Sequence, residues 1–303
     1  MNSNSFTRSS GPKRGSYENR PKKWEQKDSK PSAKFQGRPH KERAPIAPFI
    51  KRLGNLRTEK GRLSASQFLV EGIKPIIDIL EISPDILHEV FVVDNKDKGV
   101  KTVDPKFLSL VKQKRVQMQF ISKPEIDFLS NVENSQGVVA VANFSNLKLD
   151  WAKCRYVTLL DGVQDPGNVG AIFRTSLAMG MDAVLLGKGT CEAYNPKVVR
   201  ASVGEFLRLP FEAGVDLASK IQFLRSKGFT ILATSSHATH TIETVKLRKK
   251  VAIIVGNEGS GVQDILTSMA DEIIQIPLNN KVESLNVSVA HGILCNELVK
   301  LRS

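Results

Sequence analysis

The chain has 303 residues, 41% of them hydrophobic, which suits about two domains with cores of ordinary size. Its net charge of +13 and pI near 9.6 point to a polyanionic partner. No apolar run approaches the roughly 18 residues of a membrane span, and Cys154, Cys191 and Cys295 stand apart without CxxC or metal-ligand spacing; a membrane protein, a disulfide scaffold and a zinc framework are all set aside.

Residues 1–46 read as a disordered basic tail. Residues 1–45 hold twelve Lys/Arg against four acids and contain no Leu, Ile or Val, too little apolar surface to offset the entropy of ordering. Scattered Tyr17, Trp24 and Phe35 could stack on exposed bases, so an RNA contact is the favoured reading and a solubilising arm the alternative. The N-terminus has no apolar h-region. A cytoplasmic location is expected, with an organellar transit peptide as the lesser alternative.

From Ile46 the composition becomes that of a folded domain. The pattern predicts a helical segment over 48–60, a strand at Gln67–Glu71, a helix at Ile73–Glu81 and a strand at Glu89–Val93. A helix over 105–112, a strand at Arg115–Phe120, a short helix from Glu125 and a strand at Gly137–Ala142 follow. Alternating periods argue an α/β layer over 47–145. Arg52, Arg57, Lys60 and Arg62 on its first helical segment hint at RNA contact.

Polar residues at 143–153 mark a boundary, and 146–303 form a second domain. Its strand-like runs at Tyr156–Leu160, Ala183–Leu186, Thr230–Ala233, Val251–Val255 and Glu272–Ile276 are continuously apolar. Such runs fit parallel strands buried on both faces, a doubly wound α/β domain. Ligands in these sheets lie outside the carboxyl ends of the strands, where three polar turns fall.

The first turn, DGVQDPGNVGAIFRTS (161–176), has Asn168 suited to cap the following helix. Arg174 leans back over the space left by Gly170. The second, VAIIVGNEGSGV (251–262), brings Gly256, Asn257 and Glu258 to the end of a strand. Its G-x-x-G-x-G spacing is not a dinucleotide fingerprint, and GKGT at 187–190 is not a phosphate-binding loop. In the third, IPLNNKVESLNVSVAHG (276–292), Ile276 and Leu285 offer apolar walls while Ser284 and Asn286 stand at a helix start. Each turn alone reads more readily as a tight turn or a helix cap than as a ligand site.

In this order the three turns resemble the motif set of the SpoU/TrmH family, RNA ribose 2′-O-methyltransferases of the SPOUT class. The resemblance implies a deep trefoil knot in the C-terminal domain, a small L30e-like substrate-binding domain ahead of it, and a homodimer. It implies S-adenosylmethionine as cofactor, held by Gly256, Asn257, Ile276 and Leu285, with Asn168, Arg174, Glu258, Ser284 and Asn286 in the active site and no metal. Guanidinium hardly deprotonates, so Arg174 is better placed as a positioner of hydroxyl or phosphate than as a base. The implied substrate is structured RNA, large-subunit ribosomal RNA before transfer RNA. A non-catalytic RNA-binding assembly protein of the same fold remains the alternative reading, with a nucleotide-dependent metabolic enzyme behind it.

Overall fold

A computed structural model describes residues 46–94, 103–132, 135–145, 147–202, 204–279 and 281–301. The tail and its expected disorder lie outside these residues. The helical segment expected over 48–60 is interrupted. Helix α1 (Pro48–Leu53) runs into a 3-10 turn at Gly54–Arg57, and Thr58 then caps α2 (Glu59–Ala65) by accepting from the Gly61 amide at 3.1 Å. A threonine in extended conformation stops one helix and starts the next.

The following elements are β1 (Gln67–Glu71), α3 (Ile73–Ile82), β2 (Leu87–Val93), α4 (Pro105–Gln113), β3 (Gln117–Ile121), α5 (Lys123–Leu129) and β4 (Val138–Asn143). The strands form one sheet in the order β1-β4-β2-β3. Only β2 and β3 are parallel; β4 runs antiparallel to both of its neighbours, with Phe91 opposite Val139 and Leu69 opposite Val141.

The second sheet comprises β5 (Tyr156–Leu160), β6 (Ala183–Gly187), β7 (Phe211–Val215), β8 (Phe229–Thr234), β9 (Lys250–Val255) and β10 (Glu272–Ile274). Its order is β10-β8-β9-β5-β6-β7 and every pairing is parallel. Chain order reverses between β5 and β9, which makes their carboxyl ends the switch point of the sheet. Helices α6 (Pro166–Ala178), α7 (Pro196–Ala201), α8 (Leu217–Ser226), α9 (Asp264–Ser268) and α10 (Val287–Lys300) cover it. On one face Val157, Leu159, Ile231 and Ile254 are buried with Leu217, Ile221, Leu224 and Leu266 of α8 and α9. On the other, Leu160, Ile253 and Val255 belong to the larger core with Ile172, Phe173, Leu294 and Leu298 of α6 and α10. Burial on both faces explains the uninterrupted apolar runs.

An aromatic cluster joins the two sheets. Phe68 of β1 lies 4.9 Å from Tyr194, ring centre to ring centre, and 5.9 Å from Phe206; Phe144 stacks on Tyr194 at 3.8 Å. The Tyr194 hydroxyl accepts from the Ser145 amide at 2.9 Å, and burial pushes its pKa up to about 12. Arg62, read from sequence as a candidate RNA contact, is instead buried at 3% exposure. Its Nε donates to both carboxylate oxygens of Glu192, at 3.1 and 3.0 Å, Nη2 adds a third bond, and Nη1 donates to the Leu56 carbonyl at 3.0 Å. A guanidinium with its donors so engaged is a structural ion pair.

Candidate functional site at the carboxyl ends of β5 and β9

The loop after β5 is the first part of the site. Helix α6 begins at Pro166, and its cap is Asp165, which accepts from the Asn168 amide at 2.9 Å. Asn168 is therefore the third helical residue, and the capping role expected of it belongs to Asp165; Pro at the first helical position with Asp before it is the signal for that start. This frees the Asn168 carboxamide to project from the first turn.

The loop after β9 is drawn against the first by two side chains. Asn257 donates from Nδ2 to the Gly162 carbonyl at 2.8 Å, while its Oδ1 accepts from the Gly259 and Ser260 amides at 2.8 and 3.2 Å. One amide hydrogen of Asn257 is left for a ligand. Asp161, at 2% exposure, accepts from the Gln263 amide at 2.7 Å and from its side chain. Sequence reasoning passed over Asp161; an acid directly after a buried apolar strand was the available signal.

Gly256 is buried, and a Cβ added there would lie 2.1 Å from the Gly261 carbonyl carbon and 2.2 Å from the Val262 nitrogen. The turn itself needs a glycine. A valine at 256 would disrupt the loop before it met any ligand.

Three side chains from three loops then meet. Asn286, cap of α10, holds the Ser288 amide on its Oδ1 at 2.9 Å and donates from Nδ2 to Asn168 Oδ1 at 2.9 Å. Asn168 donates in turn to Glu258 Oε1 at 2.9 Å. The Gln164 and Asp165 amides also point to Glu258, each at 3.4 Å. Burial pushes the Glu258 carboxyl up, but the bonds it accepts from Asn168, its own amide, Gln164 and Asp165 outweigh that and hold it below the ordinary carboxylate value. An ionised carboxylate accepts only, so it fixes the amide orientation of Asn168, which fixes that of Asn286. Asn168 and Asn286 each keep one amide hydrogen outside a relay anchored on a charge.

Ser284 stands exposed ahead of Asn286, while Leu285 between them and Ile276 are half-buried. Arg174 is exposed on α6 with no partner among the described residues. The space expected over Gly170 is filled by α7, since a Cβ there would lie 2.5 Å from that of Ala201, and the side-chain partners of Asn168 are Glu258 and Asn286 rather than Arg174. Among the described residues no group of three His, Cys, Asp or Glu is arranged to hold a metal ion, and no helix is long and apolar enough to cross a membrane.

A cavity of about 600 Å³ is lined by Ser235, His237, His240 and Glu272 at the β10 edge and includes none of the sequence-predicted residues. The switch point fits an adenosyl group better. Its polar groups are amides held by hydrogen bonds and a carboxylate rather than metal ligands.

A parallel α/β domain with such loops at its switch point defines a small-ligand-binding class, and comparison with known proteins narrows it. Residues 155–296 match the SpoU rRNA Methylase family and residues 69–147 match RNA 2′-O ribose methyltransferase substrate binding. The 23S rRNA (guanosine(2553)-2′-O)-methyltransferase RlmP of Bacillus subtilis is 34% identical over 82% of this chain and 95% of its own length. The 23S rRNA (guanosine-2′-O-)-methyltransferase RlmB of Coxiella burnetii is 33% identical over 77% of this chain and 95% of its own. In fold, the chain is similar to the SpoU methyltransferase AviRb of Streptomyces viridochromogenes, solved with AdoMet, with a TM-score of 0.74 and 22% identity over 84% of this chain and 98% of that one. The chain belongs to the SpoU rRNA methylase family. As a member it is an RNA 2′-O-methyltransferase that uses S-adenosylmethionine.

Proposed function

We propose that the protein methylates a ribose 2′-hydroxyl of large-subunit ribosomal RNA, with residues 146–303 as the catalytic domain and 47–145 gripping the RNA. The observation that carries this reading is the Asn286–Asn168–Glu258 relay, assembled from three loops at the switch point of a family-matched domain. Relatives named for 23S ribosomal RNA favour that substrate over transfer RNA.

S-adenosylmethionine, held by Gly256, Asn257, Ile276 and Leu285, supplies a methyl group activated by its sulfonium. The protein's own part is orientation. The remaining amide hydrogens of Asn168 and Asn286 and the hydroxyl of Ser284 hold the ribose oxygen in line, and Glu258 keeps those amides from rotating. Arg174 is proposed to act across a homodimer, clamping the target phosphate at the partner's site. Support comes from Val289 and Ile293 of α10, 50% and 36% exposed, an apolar strip on the helix whose Gly292 meets Thr175, next to Arg174. The knot and the L30e-like character of residues 47–145 belong to the same proposal, as does a cytoplasmic location.

Nucleoside mass spectrometry of ribosomal and transfer RNA from cells with and without the gene tests the substrate. One 2′-O-methylnucleoside should disappear from the large-subunit RNA of the deletion strain; its disappearance from transfer RNA instead would overturn the ribosomal assignment.

A further inference from the structure

A second cavity, about 490 Å³, opens beside the relay, between the start of α2 and the loops after β5 and β6. Gln164 lines it, and its backbone amide points to Glu258 at 3.4 Å, so the cleft and the relay share one loop. The Arg62–Glu192 pair also borders it and is internally neutralised. What remains for a ligand is an unusual mixture: the Arg57 guanidinium, the Glu59 carboxylate, the Gln164 carboxamide and the Nδ2 group of Asn195. Glu59 and the Gln164 carboxamide make no hydrogen bond or ion pair among the described residues; Asn195 uses only Oδ1, on the Lys197 amide at 2.9 Å, and Arg57 donates once, to the Phe128 carbonyl at 3.2 Å.

A free carboxylate is out of place in a cleft meant only for phosphates, because like charges repel there. It fits a ligand that brings hydrogen donors. An ionised carboxylate is acceptor-only and takes two adjacent donors at once. Among the four RNA bases only guanine carries two neighbouring donors on its pairing edge, N1–H and N2–H₂, with an acceptor, O6, beside them. Unpaired RNA bases are splayed from the helix and read on that edge.

We propose that this cleft receives the base of the target nucleotide and selects guanine, Glu59 accepting from N1–H and N2–H₂, Gln164 or Asn195 donating to O6, and Arg57 meeting an adjacent phosphate. The proposal rests on the RNA methyltransferase reading and extends it to base choice. The relay presents the ribose oxygen for methylation; the cleft decides which nucleotide brings it.

The test uses the full-length chain. The methylated nucleotide is first mapped on ribosomal RNA by resistance to alkaline cleavage. Short RNAs are then made with guanosine or inosine, which lacks the N2 amino group, at that position. Wild type should lose about tenfold in kcat/KM on inosine, the cost of one missing bond to a carboxylate. Glu59→Ala, at an exposed position, should be about tenfold or more slower on guanosine and should treat the two RNAs alike, with unchanged S-adenosylmethionine affinity by calorimetry. Glu59→Gln, which keeps one acceptor, should fall between. A mapped nucleotide other than guanosine, or a Glu59→Ala enzyme that keeps the wild-type preference for guanosine, overturns the cleft assignment while leaving the enzyme class intact. Absence of transfer to any RNA by wild type overturns the class, and this proposal with it.

Discussion

The joint between the two sheets and the loop cluster at the switch point are held by opposite means. At the joint, Phe68, Phe144, Tyr194 and Phe206 pack ring on ring, and the largely buried Arg62–Glu192 pair ties α2 to the loop after β6. At the switch point, a half-buried and an exposed amide are aligned by hydrogen bonds onto one depressed carboxylate. The joint gives rigidity through area removed from water, and the switch point gives orientation without closing the site. Damage to the first should therefore appear as lost stability, and damage to the second as lost turnover.

The largest effect is expected at the joint. Arg62→Ala strands the Glu192 carboxylate in the interior and should cost about 3–5 kcal/mol of stability. Equilibrium denaturant unfolding measures this. A loss of turnover without a loss of stability would erase the distinction between the two regions.

Asn168→Ala should have the reverse signature. It breaks the relay at its centre and should lower kcat about 10²-fold, roughly 3 kcal/mol of transition-state stabilisation, with a small change in Tm. Steady-state kinetics beside a thermal melt checks both halves.

A third variant lies in the core beneath α10. His291 of α10 is fully buried, with Nε2 3.0 Å from Thr158 Oγ1 and 3.3 Å from Cys295 Sγ, and burial lowers its pKa from 6.5 to about 4. Between those values the unfolded chain binds a proton that the folded chain does not. Stability should thus rise with pH from about 4 to 6.5 and be lost as pH falls through that window, by up to roughly 3 kcal/mol. Unfolding midpoints at pH 5 and pH 7 should differ less in His291→Gln than in wild type.

Much of the fold was legible as apolar runs; Gln67–Glu71 of the first sheet and Tyr156–Leu160 of the second match the strands residue for residue. The edge strand β7, FEAGV, was not legible. It is half-exposed, carries Gly214 at a positive φ of 67°, and has no periodic apolar face. The site was legible as three motifs and not as a geometry, since Asn286 and Asn168 are 118 residues apart and no spacing rule joins them. Arg62 misled for a related reason: composition shows a charge, while its burial depends on Glu192, 130 residues away.

The smallest effect concerns the tail. Deleting residues 1–45 should weaken RNA binding most at low salt and flatten the dependence of log K on log[salt], while methylation at saturating RNA persists. An unchanged salt slope would make the tail a solubilising arm.

The division between a stabilising joint and an orienting site is tested most directly at Arg174, which is exposed and touches neither region's network. Methyl transfer from S-adenosylmethionine to large-subunit ribosomal RNA should be measured for wild type and Arg174→Ala together with calorimetric cofactor affinity. The wild-type product should be a single alkali-resistant ribose, and Arg174→Ala should lose about 10²-fold or more in kcat with its Tm and cofactor affinity intact. Near-normal turnover in that variant, or a methyl group found on a base, would contradict the proposed site.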